Sequence, residues 1–449
     1  MATTTVAADA GQPKKIVRAD ATKDFFVTMI TRDISLRDCI FDLLDNAIDG
    51  ARRKLSTTVA GKPFAGFNID LTFDASTFRM ADNCGGIKLS DALDYAFNFG
   101  KKYGSDHHDV KGGIGLYGIG MKRAIFKMGR YCEVESHAED ASFRVIVDVE
   151  DWEKRDSWDF EYLDVTAKVT KGTSITITKV NEPVARELGD QAFANELVRI
   201  IARDYAFFIQ QGLLVRVGSV VVPTYSFTLM ESQQLAPLVD EYVDGAVRVR
   251  ILMGIVDEVP DDIPDELRPR AVEQYGWFVV CNDRLVLAAD KTDRTVWGHD
   301  GFNVWHPQYN FMAGFVFFSS DDQNLLPWTT TKRDLDASSP VYRRAVERMK
   351  AATEPFIKYS NARKFDLPTA KAAEVKEKLV DVSELRAVQE VRLPKVAVTA
   401  VRPEYVGITY RRLKRDVDEI REHLDNKWMS NKDVGEVTFN YFRKAELGK

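Results

Sequence analysis

Apolar and polar residues alternate with two different periods along this chain, and the switches between periods locate its elements. From Ala21 to about Met128 the spacing is mostly helical, broken by one pair of strand-like runs and two glycine-rich loops. The first long helix contains DLLDNAIDGA, Asp42 to Ala51. At about 100° per residue, Ile40, Leu43, Leu44, Ala47 and Ile48 share one face, and Asp42, Asp45, Asn46 and Asp49 share the opposite one. FNIDLTFD (Phe67 to Asp74) and TFRMADN (Thr77 to Asn83) alternate with period two and read as adjacent strands. DALDYAFNFG (Asp91 to Gly100) reads as a helix stopped by its glycine. YCEVESHAEDASFRVIVDVEDW and TSITITKV then return to strand alternation.

Helices first and a mainly antiparallel sheet afterwards predict an α+β sandwich rather than βαβ winding. Composition shifts near NEPVARELGD (Asn181 to Asp190), which places a boundary near residue 185. Beyond it the pattern predicts a helix over ELVRIIARDYAFFIQQG and strands at LLVRVGSVVV, VRVRILMGIV, YGWFVVCNDRLVL and AGFVFFSS. A long helix follows at SPVYRRAVERMKAATEPFIKYSNAR. Lys371 to Pro394 is charged and weakly periodic, and reads as a linker. The tail offers strand-like VAVTAV from Val396, a charged helix at YRRLKRDVDEIREHL and a last helix at NKDVGEVTFNYFRKAEL. The expected organisation is a disordered lead over 1–20, a first domain over 21–185, a second over 186–365, and a linker with a small, mostly helical extension over 366–449.

The 449 residues suit about two to four domains. Hydrophobic residues at 45% and charged residues at 29% support a core of normal size. A net charge of −6 supplies no overall basic field for nucleic acid. The basic run in YRRLKRD sits in a charge-balanced helix and reads as a solvated face. Cys39, Cys84, Cys132 and Cys281 form no CxxC pair, which argues against a zinc or disulfide framework and fits reduced thiols in a cytoplasm. No apolar run reaches the roughly 18 residues of a membrane helix, and the N-terminus lacks a signal-type apolar segment. The histidines show no H-E-x-x-H spacing, and no G-x-S-x-G elbow occurs.

Four stretches are candidates for chemistry. Taken alone, the Asp42 helix reads as a solvated acidic face. MADNCGGI (Met80 to Ile87) puts a carboxylate at a strand end before a glycine pair. That is a turn, or an acceptor for an amine beside backbone that a ligand can approach. KGGIGLYGIGMKRA (Lys111 to Ala124) has five glycines in nine residues ahead of a helix, where free N–H groups suit phosphate. The P-loop pattern G-x-x-x-x-G-K-S/T is absent. Gly113, Gly115 and Gly118 do match the dinucleotide spacing G-x-G-x-x-G, but that fingerprint needs a buried strand just before it. The residues there, KKYGSDHHDVK with His107 and His108, form a polar loop. KGTSITITKV (Lys171 to Val180) starts a strand with Gly-Thr, by itself an ordinary turn.

In this order the four pieces resemble the GHKL ATPase superfamily, which comprises DNA gyrase, heat-shock-90 chaperones, histidine kinases and MutL, with MORC proteins close by. The resemblance covers residues 25–180. It implies a Bergerat-type α/β sandwich with a mixed sheet that binds ATP and Mg²⁺. It further implies that Asn46 holds Mg²⁺ on the phosphates and that Asp82 binds the exocyclic amine of adenine. Gly86 would close that box. Gly115, Gly118 and Gly120 would form the second glycine box over the phosphates, Thr173 would support the adenine side, and Lys122 stands where relatives often carry lysine. No metal beyond the nucleotide's Mg²⁺ is expected.

Two positions depart from the family pattern. Asp42 stands where hydrolysing members carry Glu as general base. Its reach is shorter by about 1 Å, and misplacement of that size costs roughly 10²-fold. Cys84 stands at the usual first glycine of the Asp82 box, where a Cβ requires an ordinary negative φ. In the second domain, PWTTTKRDLD (Pro327 to Asp336) resembles the transducer loop of gyrase, MutL and MORC relatives, whose lysine reaches the γ-phosphate; Lys332 is the candidate. VVCNDRLVLAAD (Val279 to Asp290) resembles a transducer strand-turn-strand, with Asp283 and Arg284 as turn residues rather than ligands. The resemblance thus implies an ATP-driven switch, slow in hydrolysis through Asp42. Lid closure, domain docking and ATP-dependent homodimerisation would act on DNA or a protein partner. Alternatives are a nucleotide-gated module without hydrolysis, a chaperone-like ATPase, and a histidine kinase. The transducer-like half opposes the last of these.

Overall fold

The computed structural model of the chain describes residues 22–55, 61–99, 111–115, 118–257, 273–329, 332, 334–374, 377–395 and 406–448. The expected lead over 1–20, the strand-like VAVTAV and the pair His107 and His108 lie outside these residues. The chain divides into two units, Met1–Val398 and Thr399–Lys449.

The larger unit begins with helices α1 (Lys23–Thr31) and α2 (Leu36–Lys54). The two predicted strands follow as β1 (Asn68–Phe73) and β2 (Phe78–Asp82), paired antiparallel with Ile69 opposite Asp82. Helix α3 (Leu89–Asp91) runs straight into one π-helical turn over Ala92–Ala96. Next come α4 (Gly120–Met128), β3 (Gly129–His137), β4 (Ser142–Asp148), α5 (Val149–Lys154), β5 (Glu161–Asp164) and β6 (Gly172–Val180). Alternate residues of these strands point inward: Ile69 and Leu71, Phe78 and Met80, Cys132 and Val134, Val145 and Val147, Ile175 and Ile177 are all buried. Helices α2 and α4 pack on each other, and α4 lies on β3 and β6.

After α6 (Glu182–Leu188), the single helix expected over residues 196–212 is two: α7 (Gln191–Asp204) and α8 (Ala206–Gln210), broken at Tyr205. Strands β7 (Leu214–Val217) and β8 (Val220–Val221) then join the first sheet, whose order is β5-β4-β3-β6-β2-β1-β7-β8. The β1–β7 pair is parallel and the others antiparallel, so the sheet is mixed and takes its last two strands from beyond residue 185.

The second sheet is built from β10 (Leu238–Asp244), β11 (Val247–Ile255), β12 (Gly276–Cys281), β13 (Arg284–Asp290) and β14 (Met312–Ser319), in the order β10-β11-β14-β12-β13. Strands β11, β12, β13 and β14 are buried on both faces and read as nearly continuous apolar runs, while edge strand β10 is partly exposed. Val249, Ile251, Val279 and Val316 join the main core with α9 (Pro340–Phe365). Leu252, Phe278, Val280 and Phe315 face a second cluster with Phe207 and Phe227. The stretch read as a linker after Lys371 is packed instead. Past α10 (Leu367–Ala373), β15 (Lys378–Asp381) pairs antiparallel with β9 (Thr228–Glu231), and Gln389 and Arg392 bridge to Val239 and Ala236. Val380 and Val382 supply the apolar anchors that its charge pattern hid.

The smaller unit holds α11 (Lys414–His423) and α12 (Asn431–Leu447), the latter capped by Ser430, which accepts from the Asp433 amide.

Candidate functional site

Helix α2 starts from a capping box in which Ser35 and Asp38 satisfy each other's backbone amides. From Cys39 to Ala51 every residue except Asn46 is buried. Asp42, Asp45 and Asp49 are only 5%, 2% and 5% exposed, so the face is not the solvated one that its pattern suggests in isolation. Buried carboxylates are costly unless paired, and each of these has its own partners.

Asp45 accepts from the Tyr205 hydroxyl at 2.8 Å, from Lys332 Nζ at 3.2 Å and from Arg284 Nε at 3.3 Å. Burial alone would raise its pKa; Lys332 and Arg284 outweigh that and hold it below the usual carboxylate range. Asp42 pairs with Arg123 of α4 at 2.8 Å, and Lys332 Nζ lies 3.9 Å from its other oxygen. Burial pushes the Asp42 carboxyl up despite both cations. Asp49 accepts from the amides of Ile114 at 2.8 Å and Gly115 at 2.5 Å, with burial again raising its pKa against those bonds. Lys332 sits buried at the centre with φ +56, a left-handed backbone rare for a side chain of this kind. Burial would lower its pKa, and Asp45, Asp42 and Asp49 drive it above the ordinary value instead.

Asp82 ends β2. Its Oδ1 accepts from the amides of Cys84 at 2.8 Å and Thr173 at 3.2 Å, and among the described residues no group donates to Oδ2. Burial raises its pKa to about 6, against the two amides and the nearby Arg53. Cys84 is buried with an ordinary φ, and Gly85 and Gly86 take the left-handed conformations of this turn. A Cβ on Gly86 would stand 2.4 Å from the His137 carbonyl oxygen, so that position admits glycine alone.

Gly120 opens α4 directly against the Asp42 side chain, where a Cβ would meet the carboxyl carbon at 2.8 Å. Lys122 is buried. Its ammonium donates to the carbonyls of Ala96, at 2.8 Å, and of Gly118, and burial lowers its pKa to about 7.

All ten residues singled out from the sequence line one cavity of about 490 Å³: Asp42, Asn46, Asp82, Gly86, Gly115, Gly118, Gly120, Lys122, Thr173 and Lys332. Sequence reasoning missed the partners. Arg284 is corrected: it is no turn residue but opens β13, 2% exposed, ion-paired to Asp45 and Asp204 with its guanidinium over the Tyr205 ring. Arg123 and Tyr205 carried no signal beyond their positions in amphipathic helices. Asp45 and Asp49 shared the acidic face and gave the one usable hint.

Among the described residues, no group of three His, Cys, Asp or Glu side chains could hold a metal, and no helix is long and apolar enough to cross a membrane. The four cysteines are free and buried. Residues 34–179 match the family model described as Histidine kinase-, DNA gyrase B-, and HSP90-like ATPase. No curated protein matches the chain.

Proposed function

With residues 34–179 belonging to the GHKL superfamily, we propose that this chain is an ATP-binding, slowly hydrolysing molecular switch. The observation that carries the reading is the single cavity that gathers a purine-type acceptor, Asp82, with Asn46, Asp42 and the distant Lys332. Oδ2 of Asp82, to which no described residue donates, accepts from the exocyclic amine of adenine, and the Thr173 amide keeps the carboxylate aimed. Asn46, the one exposed side chain in its stretch of α2, fits a ligand to Mg²⁺. The other oxygens around Mg²⁺ would come from nucleotide phosphates and water, the usual shell of this ion on a nucleotide. Bound there, Mg²⁺ would neutralise phosphate charge.

Asp42 takes a proton from the attacking water. Burial raises its pKa while Lys332 and Arg123 beside it favour the ionised form, and its short reach slows turnover. Lys332 exchanges its carboxylate partners for the γ-phosphate, so the terminal phosphate is sensed by the region that carries the second sheet. We take residues 21–185, completed by β7 and β8, as the ATP domain, and the region of the second sheet up to residue 365 as a transducer-type domain acting in the cytoplasm. Closure and dimerisation would pass the signal to DNA or a protein partner.

Calorimetry and phosphate release test the assignment together. Asp82→Asn and Asn46→Ala are expected to lose ATP binding. Asp42→Ala is expected to keep binding and lose turnover by about 10²-fold or more. Undiminished affinity in the first two variants overturns the site. A second reading, binding without turnover, is favoured by the Asp42–Arg123 pair, which occupies one oxygen of the proposed base. Wild-type protein that binds ATP and releases no phosphate would establish it.

A further inference from the structure

The base of the glycine loop is held by a contact that none of its motifs announces. Four consecutive backbone groups are committed there. The Gly112 carbonyl accepts from Arg52 Nη1, and the Gly113 carbonyl accepts from Asn282 Nδ2 at 3.1 Å. The amides of Ile114 and Gly115 donate to Asp49. Asn282 is 4% exposed and lies in the two-residue turn between β12 and β13. Asn282 at φ +47 and Asp283 at φ +67 supply the two left-handed residues that a type I′ hairpin turn needs. The turn is locked to the end of β14. The Asn282 amide donates to the Phe318 carbonyl at 2.9 Å, Nδ2 donates to the Ser320 carbonyl at 3.0 Å, and Oδ1 accepts from the Ser320 amide at 3.0 Å. Arg52 closes the ring from α2, donating to the Asn282 carbonyl at 2.8 Å and to Asp283 Oδ2 at 3.3 Å.

We propose that Asn282 is a positioning residue for nucleotide binding: through Gly113 it fixes the glycine loop to the second sheet, a link separate from Lys332. The proposal rests on the ATP reading above. Residues 112–115, held at each position, pay less ordering cost when the ligand arrives, and that preorganisation appears as affinity. Asn282 touches neither Asp82 nor Lys332; its side chain reaches the glycine loop at Gly113 and the end of β14 at Ser320.

The test uses the full chain. Asn282→Asp keeps the shape, tolerates the left-handed φ and still accepts from the Ser320 amide, but turns an oxygen toward the Gly113 and Ser320 carbonyls. Asn282→Gly keeps the backbone and removes the side chain. In nucleotide-free protein, amide hydrogen exchange at Ile114 and Gly115 is expected to quicken in both variants, with β3 and β6 unchanged. Calorimetry with a non-hydrolysable ATP analogue is expected to show affinity about tenfold weaker, the size of one buried hydrogen bond left unmade. Affinity within about twofold of wild type in both variants overturns the proposal, whatever the exchange shows. If Asn282→Asp fails to fold, Asn282→Gly decides alone. If the wild type binds no nucleotide, the ATP reading fails and takes the positioning role with it. Exchange then reports whether the anchor exists as a structural contact.

Discussion

At one end of the cavity, Asp82 is held by two backbone amides, from Cys84 and Thr173, within the segment 34–179. At the other end, Asp42 and Lys332 line the cavity; Arg123 pairs with Asp42, and behind them Asp45 meets Lys332 and Arg284, two cations from the far side of residue 280. Backbone donors come with the strand and turn that carry them. A buried charge cluster needs its partners delivered by docking, and each missing partner leaves an uncompensated ion. The first end is therefore built within one sheet, from a turn and the neighbouring strands β2 and β6, and does not depend on the second sheet. The second is complete only when both sheets are in place, which makes it the end suited to switching.

The largest test of this contrast is Asp45→Ala. It strands Arg284 and Lys332 without their shared carboxylate, and is expected to destabilise the larger unit by about 3–5 kcal/mol in urea unfolding. A loss below about 1 kcal/mol would show that the cluster is not held by charge pairing. Lys332→Ala comes next. ATP turnover is expected to fall by about 10²-fold or more while ADP affinity holds, since the lost contact is to the terminal phosphate. An equal loss for ADP would move Lys332 to the other end of the ligand.

The smallest effect is the sharpest for the local end. With the Asp82 pKa near 6, ATP affinity is expected to be about tenfold weaker at about pH 5 than at about pH 8, because only the ionised carboxylate accepts fully. Asp82→Asn should abolish that pH step along with most of the binding. The stability linkage runs the other way. The folded pKa lies above the unfolded one, so the folded state holds the extra proton. This carboxyl therefore adds stability as pH falls through about 6 and withdraws it as pH rises.

Much of the local end was legible. The β1–β2 pair, the turn at Asp82, the glycine run into α4 and the Gly-Thr start of β6 each declare themselves through spacing, because each is short-range backbone geometry. The helix period placed Asn46 on the polar face of α2, and only the family resemblance singled it out there. The break at Tyr205 was not: the run from α7 to α8 has uninterrupted helical periodicity, and the kink coincides with a hydroxyl bonded to Asp45. Arg284 read as a turn residue because the turn signal lies at Asn282 and Asp283, one position earlier. The packed stretch after Lys371 read as a linker because its few apolar anchors, among them Val380 and Val382, are outnumbered by charge.

Acting alone, the order of residues determined most of the strands and helices of the first sheet, and that a carboxylate would stand at the end of β2 before a glycine pair. Whether the aspartates of α2 would meet water or cations was decided only in three dimensions. A helix period says which residues share a face, while the charge that face meets depends on what docks against it, and Lys332 is 287 residues from Asp45 along the chain.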